Sequence, residues 1–282
     1  MTDQHPALLH STLVNTAATD AAPRVVFLHG LFGRGKNFAR IAAGIAPEAR
    51  SLLVDLPNHG QSCWTDSFDY AEIADLVAAH LRSGVAKAGP VDVVGHSMGG
   101  KVAMVLALRH PDLVRRLAVI DISPVASGSA RGEFRHLLDA LTGLDLDSIH
   151  RRADADAALR NAIPQDGVRG FLLQNLRRGD GRGTGGSGGS GGFEWEPNLR
   201  MLRSELETIM GFPDVSGRQF TGPVLWMRGD RSDYVRDEDA AAMRALFPRT
   251  TRMTVRGAGH WVHSEKPEEV IAALRFFLLS EG

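Results

Sequence analysis

Short, uninterrupted apolar runs recur along this 282-residue chain, and they constrain its fold more than any other feature. The runs occupy residues 24–30, 51–57, 91–95, 116–122, 223–230 and 251–257, and segments with helical spacing alternate with them. Uninterrupted apolar runs are typical of strands that are covered on both faces. Strands that alternate with helices therefore predict an α/β fold, with a mostly parallel sheet and helices on both of its faces.

The alternation stops between residues 125 and 221, where we find only helical patterns and one low-complexity loop. We therefore expect a core over 1–124, an inserted helical lid over 125–221, and the second part of the core over 222–282. Ligands of open α/β sheets bind at the carboxyl ends of the strands, so a lid inserted after such an end lies over the ligand site. Inside the lid, the Gly/Ser-rich loop 179–192 has the composition of a flexible coil.

Three serines stand at the centre of a G-x-S-x-G pattern, which marks a nucleophile only where a strand leads into it and a helix follows. Ser97 meets this condition, because an apolar strand ends at Gly95 and a helical pattern begins at Met98. Ser187 and Ser190 lie inside the Gly/Ser-rich loop, with no strand before them and no helix after them. Ser97 is therefore the predicted nucleophile, and we discount the other two.

The turn around Ser97 also predicts the groups that would bind an oxyanion. A helix that begins at Met98 directs its first N–H groups, and the positive end of its dipole, toward the developing charge. A second N–H is expected from the loop after the first central strand, and we assign it to Leu31 in HGLFG. Phe32 is the predicted wall of the acyl pocket. Dinucleotide binding is disfavoured, because GHSMGG lacks the G-x-G-x-x-G pattern.

The general base is expected after the last strand, in the segment GAGHWVHSEKP. His260 lies in the Gly-rich loop that leaves this strand, whereas His263 lies near the start of the closing helix and is interpreted as a packed or capping residue. The chain order Ser…Asp…His that accompanies a nucleophile elbow favours His260, and it disfavours His29, which precedes the nucleophile. The neighbouring Trp261 is expected to contact the substrate.

The acid that orients the base has more than one candidate. It usually follows the strand that ends near Met227, but the expected position in GDRSDYV holds Ser232, with Asp230 and Asp233 beside it. Asp121, at the end of the preceding core strand, is the alternative. Both placements keep the same chain order, so the residues alone leave the choice open.

Composition narrows the functional classes. A net charge of −1 and a pI of about 6.8 give no general attraction to nucleic acid or to anionic lipid. Cys63 is the only cysteine, which excludes an intrachain disulfide and a cysteine-based zinc site. No apolar run approaches the ~18 residues of a membrane span, and the first residues do not resemble a secretory signal, so we expect a cytoplasmic protein.

Six segments in order carry a further signal: HGLFG, DLPNHGQS, GHSMGGKV, VIDISPV, GDRSDYV and GAGHWVHSEKPEEV. Together they resemble the α/β-hydrolase superfamily, and more narrowly the YbfF-type bacterial esterases and their mitochondrial relatives. The resemblance implies a serine esterase for short acyl esters, with acyl-CoA thioesters as a second substrate class and no metal or cofactor. It also favours Asp121 as the acid, because those esterases carry an Asp in the IDI segment, and it makes Ser232 an accessory hydrogen-bonding partner of the histidine.

The expected reaction is acyl transfer to water through an acyl-enzyme. C–C bond hydrolysis and perhydrolysis are rival reactions for the same three residues. A protein of this fold with little or no turnover would instead be a ligand receptor, and a panel of short p-nitrophenyl esters separates that class from an enzyme. Arginines at positions 151, 152, 177 and 178 are interpreted as solvated surface rather than as a site for CoA phosphates.

Overall fold

A seven-stranded sheet forms the centre of the protein, in a computed structural model that describes residues 8–15, 19, 22–128, 131–179 and 192–279. The strands are β1 (Ser11–Val14), β2 (Arg24–Leu28), β3 (Arg50–Val54), β4 (Val91–His96), β5 (Val114–Ile120), β6 (Leu176–Arg178), β7 (Phe193–Trp195), β8 (Val224–Gly229) and β9 (Thr250–Val255). In space the main sheet has the order β1-β3-β2-β4-β5-β8-β9, and β6 and β7 form a separate pair.

All neighbours in the main sheet are parallel except β1, which pairs antiparallel with β3. Every predicted apolar run forms one of the parallel strands, and the α/β fold class is confirmed. No apolar run in the sequence predicts β1, because this strand has only four residues, lies at the edge of the sheet and is partly exposed to solvent.

The register of the central strands aligns their carboxyl ends. Gly95 of β4 lies opposite Leu28 of β2 on one side and opposite Val119 of β5 on the other. Ile120 of β5 lies opposite Met227 of β8. The residues that follow these strands therefore emerge together at one edge of the sheet, which is the edge where ligands of parallel α/β sheets bind.

Helices cover both faces of the sheet. Their bounds are α1 (Ala39–Gly44), α2 (Tyr70–Ser83), α3 (Met98–Arg109), α4 (Arg131–Thr142), α5 (Arg152–Leu159), α6 (Asp166–Leu173), α7 (Leu199–Ser204), α8 (Leu206–Met210), α9 (Ala240–Leu246), α10 (Val262–Glu265) and α11 (Pro267–Leu279). Successive side chains of a strand point to opposite faces. Val26 and Leu28 of β2 pack in one core with α2 and α3. Val25 and Phe27 point the other way and pack with α1 and α11.

The inserted segment, residues 125–221, joins β5 to β8 and contains α4 to α8 together with the β6–β7 hairpin. The sequence patterns predict helices alone in this segment, so the hairpin is a correction. Leu176 of β6 lies opposite Trp195 of β7, and strands of three residues are too short to show a periodicity in sequence. Within the described residues, no helix combines the length and the apolar character that crossing a membrane requires.

The Gly/Ser-rich loop connects the two strands of this hairpin. Its first and last residues are paired, since the Gly179 N–H donates to the Gly192 carbonyl at 2.7 Å. Residues 180–191, with Ser187 and Ser190, lie outside the described residues.

Because Gly179 and Gly192 are paired, a short turn can replace the loop. We predict that Asn-Gly in place of residues 180–191, which suits a two-residue hairpin turn, leaves the melting temperature unchanged or slightly higher. The entropic cost of closing a loop grows slowly with its length, and shortening the loop removes part of that cost. Thermal unfolding followed by circular dichroism measures the change, and turnover of a short ester should stay within a few-fold. A large loss of turnover would contradict the prediction.

Candidate active site

A sharp turn between β4 and α3 presents Ser97 at the carboxyl edge of the sheet. Ser97 has φ 53° and ψ −121°, which is a strained conformation for serine, and its N–H donates to the Ile120 carbonyl of β5 at 3.1 Å. A Cβ on Gly95 would lie 2.4 Å from the Gly99 carbonyl oxygen. A Cβ on Gly99 would lie 2.3 Å from the Leu28 carbonyl oxygen. The G-x-S-x-G pattern is therefore a steric requirement of this turn.

The structure brings Ser97, His260 and Asp121 into one hydrogen-bonded row. The Ser97 Oγ lies 2.9 Å from His260 Nε2, and the Asp121 Oδ2 lies 2.8 Å from His260 Nδ1. Asp121 is completely buried, and the histidine side chain is 10% exposed. The three residues follow β4, β5 and β9, so the sheet sets the spacing between them.

Both oxygens of the Asp121 carboxylate have further partners. Oδ1 accepts the Gly229 N–H at 2.9 Å, and Oδ2 accepts the Ser232 hydroxyl. Ser232 thus contacts the carboxylate, whereas the resemblance implies a bond to the histidine. Asp121 itself has φ 53°, and its N–H donates to the Met227 carbonyl at 2.8 Å. These contacts hold the carboxylate against the imidazole.

The two other acid candidates lie elsewhere. The Asp230 Oδ1 accepts the Gly257 N–H at 2.8 Å, which ties the loop after β8 to the turn after β9. Asp233 is exposed and lines a surface cleft beside Tyr234. Among the described contacts, neither carboxylate accepts a hydrogen bond from His260. Of the three acids that the sequence offered, the structure brings only Asp121 to the imidazole.

A narrow, mostly apolar pocket lies beside Ser97. Its lining comes from the core, from the inserted segment and from the loop after β8: Leu31, Met98, Lys101, Ile122, Ser127, Phe134, Ile209, Met210 and Tyr234. Leu31 and Met98, the predicted oxyanion donors, thus both border the space next to Ser97. Phe32, the predicted wall of the acyl pocket, is not among the described residues that line it; its ring centroid lies 6.0 Å from that of Phe134, which does line the pocket.

Aromatic rings pack around His260. Tyr234 stacks on the imidazole with ring centroids 3.8 Å apart and planes 19° apart, which shields one face of the ring from water. Trp261 lies farther away, with a centroid distance of 6.0 Å, and it is not among the described residues that line the pocket. Tyr234 is not among the site residues predicted from the sequence, since nothing in its local pattern distinguishes it from another loop residue.

Lys101 is a second residue that the sequence analysis missed. It lies four residues after Ser97 on α3, and it reaches from the pocket to the end of α8. Its Nζ donates to the carbonyls of Met210 and Gly211 at 2.8 and 2.6 Å. Burial lowers the pKa of Lys101 to about 7. The spacing from Ser97 was a usable signal, because residues four apart share one face of a helix.

Buried histidines support the loop that carries His260. The His96 Nε2–H donates to the His260 carbonyl at 2.9 Å, and the rings of His96 and His263 lie 4.4 Å apart. His263 also stacks on Phe38, with centroids 4.8 Å apart. Burial lowers the pKa of His96, and it lowers the pKa of His263 to about 3. In the described part of the chain, no group of three His, Cys, Asp or Glu side chains is arranged to hold a metal ion.

The lowered pKa of His263 predicts a loss of stability in acid. A histidine whose pKa is lower in the folded than in the unfolded chain makes its full contribution above the unfolded value of ~6.5, and that contribution is lost as the pH falls toward the folded value. For His263 the lower limit of this window is a pH of about 3. Within the window, the free energy of unfolding should fall by up to about 1.4 kcal/mol per pH unit for each such histidine.

His263→Phe removes this titration and also the unpartnered Nδ1 of the buried ring. Urea unfolding at several pH values in the window measures the free energy of unfolding of both proteins. We expect the free energy of unfolding of the variant to change less steeply with pH, by up to about 1.4 kcal/mol per pH unit, which is the contribution of one proton. An unchanged slope would contradict a buried, neutral His263.

A parallel α/β sheet with a serine on a strand–helix turn, and with a histidine and an aspartate at the same edge, is the arrangement of α/β hydrolases. The family described as alpha/beta hydrolase fold matches residues 23–267 of this chain. The chain therefore belongs to the α/β-hydrolase family.

Individual relatives narrow the class. The sn-1-specific diacylglycerol lipase ABHD11 of Mus musculus is 38% identical, over 98% of this chain and 87% of its own length. Esterase YbfF of Escherichia coli is 31% identical, over 90% of this chain and 92% of its own length. The solved structure of a marine microorganism esterase matches with a TM-score of 0.86 and 28% identity, over 96% of this chain and 100% of that one. The resemblance to YbfF-type esterases is confirmed, and the chain falls among the carboxylic ester hydrolases of the family.

Proposed function

We propose that this protein is a serine hydrolase that cleaves short-chain acyl esters through Ser97, His260 and Asp121. The observation that carries the proposal is the unbroken row of hydrogen bonds, 2.9 Å between Ser97 Oγ and His260 Nε2 and 2.8 Å between His260 Nδ1 and Asp121 Oδ2. In this row the carboxylate accepts the Nδ1–H, which leaves the Nε2 lone pair to accept the serine proton.

Acylation begins when the Ser97 Oγ forms a bond to the ester carbonyl carbon. The carbonyl π electrons move to oxygen, and the serine proton passes to His260 Nε2. The N–H groups of Met98 and Leu31 bind the oxyanion, and Asp121 stabilises the imidazolium. The imidazolium then gives its proton to the alkoxide oxygen as the C–O bond breaks, so that the alcohol leaves. Water repeats these steps on the acyl-enzyme and releases the acid and free Ser97.

The pocket beside Ser97 supports a short acyl group. The space in it that a water-sized group can occupy is about 10 Å³, and its walls are mostly Leu, Met, Ile and Phe side chains. Sites for drug-sized ligands typically span roughly 300–1,000 Å³. A long acyl chain needs more room than this pocket offers. Because Phe134, Ile209 and Met210 contribute walls, we further propose that the inserted segment is the lid of the site.

Acyl-CoA thioesters receive less support as substrates. Of the four arginines weighed as phosphate ligands, Arg151 pairs with Asp154 and Arg177 pairs with Glu194. Arg152 donates to the Leu176 carbonyl at 2.6 Å and Arg178 donates to the His150 carbonyl at 3.4 Å, both within the inserted segment. Steady-state turnover of p-nitrophenyl acetate and butyrate, with acetyl-CoA as the thioester arm, tests the substrate class. The same panel tests the enzyme against a ligand receptor of this fold.

Substitution of the nucleophile gives the first test of the mechanism. Ser97→Ala should abolish ester turnover and covalent labelling by a fluorophosphonate, because the attacking oxygen is gone. The circular dichroism spectrum should not change, since alanine fits the space of serine. Labelling that persists in the alanine variant would show that another residue is the nucleophile.

Substitution of the acid candidates gives the second test. Asp121→Asn should lower kcat steeply, up to the order of 10⁴-fold, because an amide no longer holds the imidazole in the required tautomer. Ser232→Ala should raise the activation free energy of ester turnover by about 1 kcal/mol, the typical value of one hydrogen bond. Asp233→Asn is the matched control, because this exposed carboxylate has no hydrogen bond to His260 among the described contacts, and its kcat/KM should stay close to wild type.

All three variants are compared on one short ester after thermal unfolding has shown that each is folded. If Asp233→Asn lost most of its kcat/KM while Asp121→Asn stayed close to wild type, the acid would belong to the loop after β8 instead.

A further inference from the structure

The turn that carries Leu31 has a strained backbone. Residues Gly30 to Gly33 form a β-turn that is closed by the Gly33 N–H, which donates to the Gly30 carbonyl at 2.9 Å. Phe32, the third residue of this turn, has φ 62°. Glycine adopts this conformation freely at that position, whereas phenylalanine does not. Such a turn keeps its shape only where neighbouring groups hold it.

Two buried side chains hold Phe32, one on its N–H and one on its carbonyl. His59 Nε2 accepts the Phe32 N–H at 3.3 Å, while the His59 Nδ1–H donates to the Pro57 carbonyl at 3.0 Å. Burial lowers the pKa of His59 to about 3, so its Nε2 stays unprotonated and able to accept. On the other side, the Asn175 Nδ2 donates to the Phe32 carbonyl at 2.7 Å.

Asn175 belongs to the inserted segment and not to the core. It lies between α6 and β6 and is 2% exposed. The Glu196 N–H donates to the Asn175 carbonyl at 2.9 Å, which extends the pairing of the β6–β7 hairpin by one residue. The hairpin therefore fixes the backbone of Asn175, and the side chain reaches the Phe32 carbonyl from there.

We infer that Asn175 is a positioning residue for the oxyanion donor, because it holds the Gly30–Gly33 turn in the shape that directs the Leu31 N–H toward the reacting carbonyl. This inference rests on the proposed function. The turn lies directly against the nucleophile, since a Cβ on Gly30 would be 3.2 Å from the Ser97 Cβ. A shift of the turn changes the distance between donor and oxyanion, so the inserted segment completes the site as well as bordering it.

Kinetics of Asn175→Ala and Asn175→Leu test the inference. Both variants remove the hydrogen bond, and the slightly larger leucine still fills the space of the asparagine side chain. We expect kcat on p-nitrophenyl butyrate to fall on the order of tenfold, the effect of one lost hydrogen bond that matters in the transition state. KM should change by less than about twofold, because the oxyanion forms only after the substrate has bound.

Gln174→Ala is the matched control. The Asn37 Nδ2 donates to the Gln174 Oε1 at 3.0 Å, so this variant also removes one side-chain hydrogen bond between the inserted segment and the core, at the adjacent position. Its kcat should stay within about twofold of wild type, since the Gly30–Gly33 turn keeps both of its supports. Equal losses of kcat in Gln174→Ala and Asn175→Ala, or a loss that appears only in KM, would overturn the inference.

Hydrogen exchange gives a readout that needs no substrate. The Phe32 amide should exchange faster in both Asn175 variants than in wild type, and at the wild-type rate in Gln174→Ala. Unchanged exchange at Phe32 in a folded Asn175→Leu protein would overturn the role of Asn175, whatever the substrate. Absence of ester turnover in the wild-type protein would instead overturn the proposed function, so the two failures are distinguishable.

Discussion

Backbone hydrogen bonds that continue past the ends of the central strands are the constraint on which the site depends. The Ser97 N–H donates to Ile120 of β5, and the Asp121 N–H donates to Met227 of β8. Each residue therefore leaves its own strand while it is still tied to the next one. Both have φ 53°, so each strand bends sharply at the same edge of the sheet. The loop that carries His260 and the apolar pocket beside Ser97 pack around these two bends.

Burial sets the electrostatics of this edge as well as its packing. It lowers the pKa of His29, His59, His96 and His263, so these rings are neutral, with one donor and one acceptor nitrogen each. His29, for example, accepts the Leu56 N–H at 2.9 Å. Although the sequence is rich in histidine near the site, the row of hydrogen bonds to Ser97 runs through His260.

The inserted segment contributes to the site in two physically different ways. Apolar side chains such as Phe134 and Met210 border the pocket, and Lys101 of the core ties the end of α8 to α3 through backbone carbonyls. Asn175 instead acts on a strained turn of the core through a single hydrogen bond to Phe32. The first contribution sets how much room an acyl group has, and the second sets the geometry of a backbone N–H.

The sequence by itself determined the parallel strands and the turn at Ser97, because both leave local signals: uninterrupted apolar runs, and glycines where backbones approach closely. It did not reveal β1 or the β6–β7 hairpin, since short strands are stabilised by partners that are distant in sequence. It also left Asp121, Asp230 and Asp233 as possible acids. The family resemblance favoured Asp121, but only the tertiary structure shows the contact between Asp121 and His260, across 139 residues of chain, because the direction in which a side chain leaves its strand cannot be read from the order of residues.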